Sequence, residues 1–171
     1  SSDGDCLRAE RAAYLARRGD STTAESELSA LRLSGLHIRS AAISSWINFA
    51  EGMQFHCNGM DRAASEKWQR SRAIADSGGL KYLSSLVSSW FFFLNYTCAS
   101  IPLMKEDLQR CLILRAELND QAKSRLALTI AQCFHVYGDV QSAKRWYTLS
   151  RLRALAYGDD VMLSALMHNM A

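Results

Sequence analysis

The sequence predicts an all-α fold: a right-handed α-solenoid of antiparallel helical hairpins, with four complete repeats and the start of a fifth. Three observations predict it. Helix breakers are scarce, with one proline (Pro102) and nine glycines in 171 residues, which favours long helices. Alternating runs of β-branched residues, the mark of half-buried strands, are absent. The chain also repeats itself with a period of about 40 residues, and a fixed period of that size signals a repeat architecture.

The repeat is carried by residue type at fixed offsets. Small or turn-forming residues recur at Gly19, Gly59, Ala99 and Gly138. Five positions after each come Ala24, Ala64, Met104 and Ala143, and four further on Leu28, Trp68, Leu108 and Tyr147. Seven positions before each turn stand Ala12, Gly52, Phe92 and Ala131, followed three later by Leu15, Phe55, Asn95 and Phe134. Small residues let two helices cross closely, and the large residues one turn along fill the space beside the crossing. Asp20 and Asp139 follow their glycines and suit the next helix as caps, while Pro102 suits a first helical turn. These signals predict helices over 5–18, 22–34, 38–58, 61–77, 80–99, 103–118, 121–137 and 140–156, with a ninth beginning near Asp160.

The small-x2-aromatic and Ala-x3-aromatic pattern resembles the tetratricopeptide repeat, best in Gly52-x2-Phe55…Gly59…Ala64-x3-Trp68 and Ala131-x2-Phe134…Gly138…Ala143-x3-Tyr147. The resemblance makes residues 1–171 a single domain, divided into repeats at about 5–36, 37–79, 80–119 and 120–158, with a partial copy at 159–171. Ala171 falls on the small position of that fifth copy, so the chain is expected to be a fragment of a longer protein. HEAT and armadillo repeats share the period but not the twelve-residue gap between small positions. The long repeat is similar to those of large bacterial LuxR-type regulators of the maltose-activator kind, as are the endings Arg72-Ala73-Ile74-Ala75 and Arg153-Ala154-Leu155-Ala156.

That resemblance implies a non-catalytic protein-interaction or ligand-sensing scaffold in a bacterial signalling or transcriptional regulator. The alternative is a structural assembly module of a secretion or pilus machine. The implied partner is a protein or peptide in a concave groove lined by the first helix of each hairpin. By the family pattern the groove residues are Trp46, Phe49, Met53, His56, Phe93, Tyr96, Arg125, Gln132 and His135, with Leu86, Ser89 and Leu128 at the remaining positions of the third and fourth copies and Cys6, Ala9, Ala13 and Ala16 in the first. The truncated fifth copy is expected to leave Val161, Leu163, Leu166 and Met167 for self-association or folding back.

Chemistry is thin by comparison. The histidines (His37, His56, His135 and His168) form no H-E-x-x-H, and no metal or cofactor is implied. There is no G-x-S-x-G elbow, and Cys133 and His135 are two residues apart, a spacing that sends them to different helix faces. The sequence therefore points away from an enzyme. The net charge of +3 is too mild to indicate nucleic acid. Apolar runs such as Trp90–Leu94 fall far short of a membrane span. Five cysteines without a C-x-x-C fit reduced thiols in a cytoplasmic protein.

Overall fold

The computed structural model describes residues 2–35 and 40–170. Among them lie nine helices and no strand: α1 (Ser2–Arg17), α2 (Ser21–Leu33), α3 (Ala41–Cys57), α4 (Asp61–Ser77), α5 (Lys81–Thr97), α6 (Ile101–Ile113), α7 (Asp120–Tyr137), α8 (Val140–Tyr157) and α9 (Asp160–Met170). The fold is all-α, as the scarcity of breakers predicts. None of these helices is long and apolar enough to cross a membrane. His37, the first residues of the predicted 38–58 helix and Ala171 lie outside the described residues.

The breaks between helices fall where the sequence places them. Gly19, Gly59 and Gly138 all adopt positive φ (86°, 73° and 91°), the region that only glycine enters without a steric cost. Each ends its helix in a Schellman arrangement, as in Met60 N–H to the Phe55 carbonyl at 2.8 Å and Gly59 N–H to the His56 carbonyl at 3.0 Å. The expected caps form: Asp20 accepts from Thr23 N–H at 3.1 Å and Asp139 from Ser142 N–H at 3.0 Å. Pro102 sits in the first turn of α6. One end differs. Helix α6 stops at Ile113, short of the expected 118, because hydrogen bonding tightens to i→i+3 (Glu117 N–H to the Leu114 carbonyl, 2.9 Å) and Leu118 turns into the core.

The chain divides into two compact units, residues 1–87 and 88–171. In the first, α3 packs against α1, α2 and α4. Helices α3 and α4 are antiparallel: Ser45 meets Ser71 and, further along, His56 meets Asp61 across the turn. Ser45 and Ser71 are fully buried and exchange hydroxyl-to-carbonyl hydrogen bonds. Near the other end, Trp68 closes over Gly52 and donates its indole N–H to the Phe49 carbonyl at 3.1 Å. Gly52 and Ala64 are buried, as the crossing requires.

In the second unit α7 and α8 form the same kind of hairpin, and α9 packs on both. Ser124 and Ser150, also 26 residues apart, exchange the same pair of hydrogen bonds. Ala131 and Ala143 are buried at this crossing. In the sequence's weakest copy, Asn95 does not pack as an aromatic would; it donates to the buried Asp107 at 2.7 Å. Leu166 is 2% exposed and Leu163 packs on the same core, together with Leu128, Tyr147 and Met162. The apolar face expected at the C-terminal end is therefore largely folded back onto its own unit, and Met167, 75% exposed, is the member that points to solvent.

Candidate functional site

The nine groove positions do not share one exposure. Trp46, Phe49 and Met53 are buried, so they are core residues and not groove surface. The cause is visible on α3, where Ile43, Ser45 to Ile47 and Phe49 to Met53 are all buried beneath α1, α2 and α4. A first helix that packs on another first helix has no wall left to expose. Trp46 meets Phe49 edge-on at 5.7 Å and Tyr82 at 6.2 Å. The first-copy positions Ala9, Ala13 and Ala16 are buried as well, and so are Leu86, Ser89 and Leu128, which leaves none of them as groove surface.

Arg125 is also a correction: it is 7% exposed, with its guanidinium 4.0 Å above the Trp90 ring and 4.6 Å from that of Phe93. It serves as a cation–π plug and not as a solvated contact residue. Phe93 is half-buried beside it.

His56, in the first unit, is half-buried, hydrogen-bonded through Nδ1 to Asp61 at 2.7 Å, and packed 5.6 Å from the Trp68 ring. His135, in the second unit, holds the same place in its own hairpin. Its Nδ1 shares a 3.2 Å hydrogen bond with the Tyr147 hydroxyl, and its ring stands edge-on to that of Tyr147 at 6.1 Å. Both histidines lie twelve residues before the aromatic on which they pack.

Three of the nine residues do come together. Tyr96, Gln132 and His135 line an open cleft of about 230 Å³ in the second unit, completed by Tyr147, Val136 and Asn169. Gln132 Nε2 donates to Asn169 Oδ1 at 3.1 Å, and Asn169 Nδ2 donates to the Ala165 carbonyl at 2.7 Å. Because that carbonyl can only accept, the chain of bonds orients both amides and leaves Gln132 Oε1 as a buried acceptor without a partner among the described residues. Burial raises the Tyr147 hydroxyl's pKa, with Tyr96 adding to it; burial raises that of Tyr96, with Cys133 adding to it. Burial also raises the Cys133 thiol, which keeps it protonated, the opposite of what a nucleophilic thiol needs. The cleft offers hydrogen bonds and aromatic surface.

A second cleft, of about 500 Å³, lies in the first unit, and of the expected groove residues none lines it. Its wall is a line of alternating charges from three helices: Glu25 and Arg32 on α2, Glu51 on α3 and Lys67 on α4. Arg32 donates to Glu25 at 3.1 Å and through Nε to Glu51 at 3.0 Å, and Lys67 pairs with the other Glu51 oxygen. Glu51 is 8% exposed. Burial pushes its carboxyl up, but hydrogen bonds and charge from Lys67 and Arg32 more than offset this and leave it below the usual carboxylate value. The signal in the sequence was one glutamate inside the apolar stretch Trp46–Met53, weak because a lone charge on a helix usually faces solvent. Among the described residues no cluster of three or more His, Cys, Asp or Glu side chains is placed to hold a metal ion. No protein-family model, curated protein or solved structure matches this chain.

Proposed function

We propose that the chain is a non-catalytic binding scaffold of tetratricopeptide-like hairpins, the protein-interaction or ligand-sensing part of a bacterial signalling or transcriptional regulator. The observation that carries it is one hairpin geometry occurring twice. Ser45–Ser71 and Ser124–Ser150 make the same reciprocal bonds at the same separation. Gly52, His56 and Trp68 in one hairpin are matched by Ala131, His135 and Tyr147 in the other. Hairpins of one design suit stacking into a right-handed solenoid, whose use is to present side chains along a continuous surface. The cleft of Tyr96, Gln132 and His135 suits a peptide: its amide, imidazole and hydroxyl groups offer hydrogen bonds, and the tyrosines supply apolar area with polar tips.

The test is selection of binders from a displayed library of random peptides, followed by affinity measurements on Tyr96→Ala and His135→Ala. A loss of about tenfold or more in either variant supports peptide recognition in this cleft. Unchanged affinity in both variants places the peptide elsewhere and removes the cleft from the proposal.

A further inference from the structure

We infer that the cleft of the first unit binds a small dipolar ion, a free α-amino acid with an apolar side chain. The inference stands apart from the peptide cleft of the second unit, since it uses other residues and another chemistry.

Charge pattern selects this class of ligand. The wall carries two carboxylates, Glu25 and Glu51, and two cations, Arg32 and Lys67, so its formal charge is zero. A simple anion drawn to Arg32 and Lys67 meets the carboxylates as well, and a simple cation drawn to Glu25 meets the guanidinium. A molecule bearing both signs a few ångströms apart satisfies both.

The open valences agree with this. Glu25 Oε1 accepts from Ser29 and Arg32 at 3.1 Å each, and its Oε2 has no partner among the described residues. Arg32 uses Nε, one NH1 and one NH2 donor, and two guanidinium hydrogens remain without a partner among the described residues. Lys67 uses one of its three hydrogens on Glu51. The wall therefore retains donors for a carboxylate and, beside them, an acceptor for an ammonium. Gln54 Oε1 and Asn58 Oδ1, whose amide nitrogens donate to Ser21 and Gln54 carbonyls, add two acceptors without a partner among the described residues on the same cleft.

Three other properties fit. Phe55 and Met60 line the cleft and give an apolar side chain a surface to cover. The volume of about 500 Å³ lies within the roughly 300–1,000 Å³ of small-molecule sites. The wall is also preorganised. Glu51 is nearly buried and clamped by cations from α2 and α4, so the charges stand in place before a ligand arrives. A buried ion pair contributes little net stability against an apolar replacement, so packing alone does not account for a glutamate in the middle of the apolar α3.

Calorimetric titration of the chain at neutral pH with L-leucine, L-methionine and L-phenylalanine tests the inference, with N-acetyl-L-leucine and L-leucinamide as controls lacking one charge each. At least one free amino acid should bind with Kd of about 1 mM or tighter, and both leucine controls should bind about tenfold more weakly than leucine or not at all. Glu25→Gln, at a half-exposed side chain, should reduce the discrimination against N-acetyl-L-leucine. Lys67→Gln should reduce the discrimination against L-leucinamide. The Glu25→Gln melt should remain close to wild type, and the Lys67→Gln melt should fall because it takes a partner from the buried Glu51; both variants should keep one cooperative transition above the titration temperature, which separates lost binding from lost folding. The inference is overturned if none of the three amino acids binds at concentrations up to about 10 mM, if the capped controls bind as well as leucine, or if both variants leave the affinity unchanged.

Discussion

Ser45 and Ser71 each donate a hydroxyl hydrogen to the other's main-chain carbonyl, at 2.9 and 2.8 Å, with the two hydroxyl oxygens 3.0 Å apart. Side chains this small bring the α3 and α4 backbones together, and the hydroxyls satisfy themselves on carbonyls already bonded within each helix. Ser71→Ala removes one such bond and leaves no charged or orphaned donor, so it should cost about 0.5–1.5 kcal/mol. Ser71→Leu forces the helices apart and should cost more, about 1–3 kcal/mol. Urea denaturation of the two variants checks the order. Equal costs would mean that the crossing is not close-packed. Ser150 should behave in the same way within its own unit.

Gly52 is the second close approach. A Cβ there would lie 2.4 Å from Trp68 Cδ1 and 2.5 Å from its Nε1. Gly52→Ala therefore cannot be accommodated without displacing the indole, which would break its 3.1 Å bond to the Phe49 carbonyl. Despite the better helix propensity of alanine, the substitution should destabilise by about 1–3 kcal/mol and change the tryptophan emission. A melt at or above the wild-type midpoint would contradict the packing of Trp68.

The ionic wall predicts a pH dependence. The Glu51 carboxyl titrates below its ordinary value of 4.5 in the folded chain. A carboxyl depressed in this way stabilises the fold above the unfolded value and loses that contribution as pH falls through the folded value. Stability from this group should be level above about pH 5 and decline below pH 4.5. Glu51→Gln should lower stability at neutral pH by about 1–3 kcal/mol, a figure reduced because its partners are partly solvated. It should also flatten the acid limb. Denaturation midpoints between about pH 3 and pH 7 measure both effects.

Thiol reactivity should follow exposure. Cys57 and Cys98 are exposed, Cys111 is buried, and Cys6 and Cys133 are intermediate. Burial raises the Cys6 and Cys133 thiols, with the carboxylates of Asp3, Asp5 and Glu10 adding to the effect at Cys6. Titration with a disulfide reagent at pH 8 should show Cys57 and Cys98 reacting first, Cys6 and Cys133 more slowly, and Cys111 after denaturation. Mass mapping of the labelled thiols decides the order.

The sequence revealed the helices more clearly than their surroundings. Gly19, Gly59 and Gly138 announce turns because their conformation is a local property, and the small residues Gly52, Ala64, Ala131 and Ala143 announce crossings because no larger side chain fits there. The crossing serines carry no such signal, since serine within a helix is equally at home on an exposed face. The groove register failed at Trp46, Phe49 and Met53, because whether a first-helix position meets solvent or another first helix depends on the neighbouring element and not on its own residue type. It came closest at Tyr96, Gln132 and His135, near the turn end of their hairpins. Glu51 was hidden for the same reason: its partners Arg32 and Lys67 lie on other helices, and no spacing along the chain links the three.

Ala99 occupies the turn between α5 and α6 with φ 53°, where the comparable turns have glycine. A left-handed alanine is roughly 1–2 kcal/mol less favourable than a right-handed one, and that deficit is released when the turn opens. Transient opening should therefore begin here. The Ser100 amide, bonded to the Asn95 carbonyl at 2.9 Å, should exchange its hydrogen with heavy water sooner than its counterparts at Met60 and Asp139. Ala99→Gly should close that gap in protection, so that a single methyl group sets the order in which the hairpins breathe.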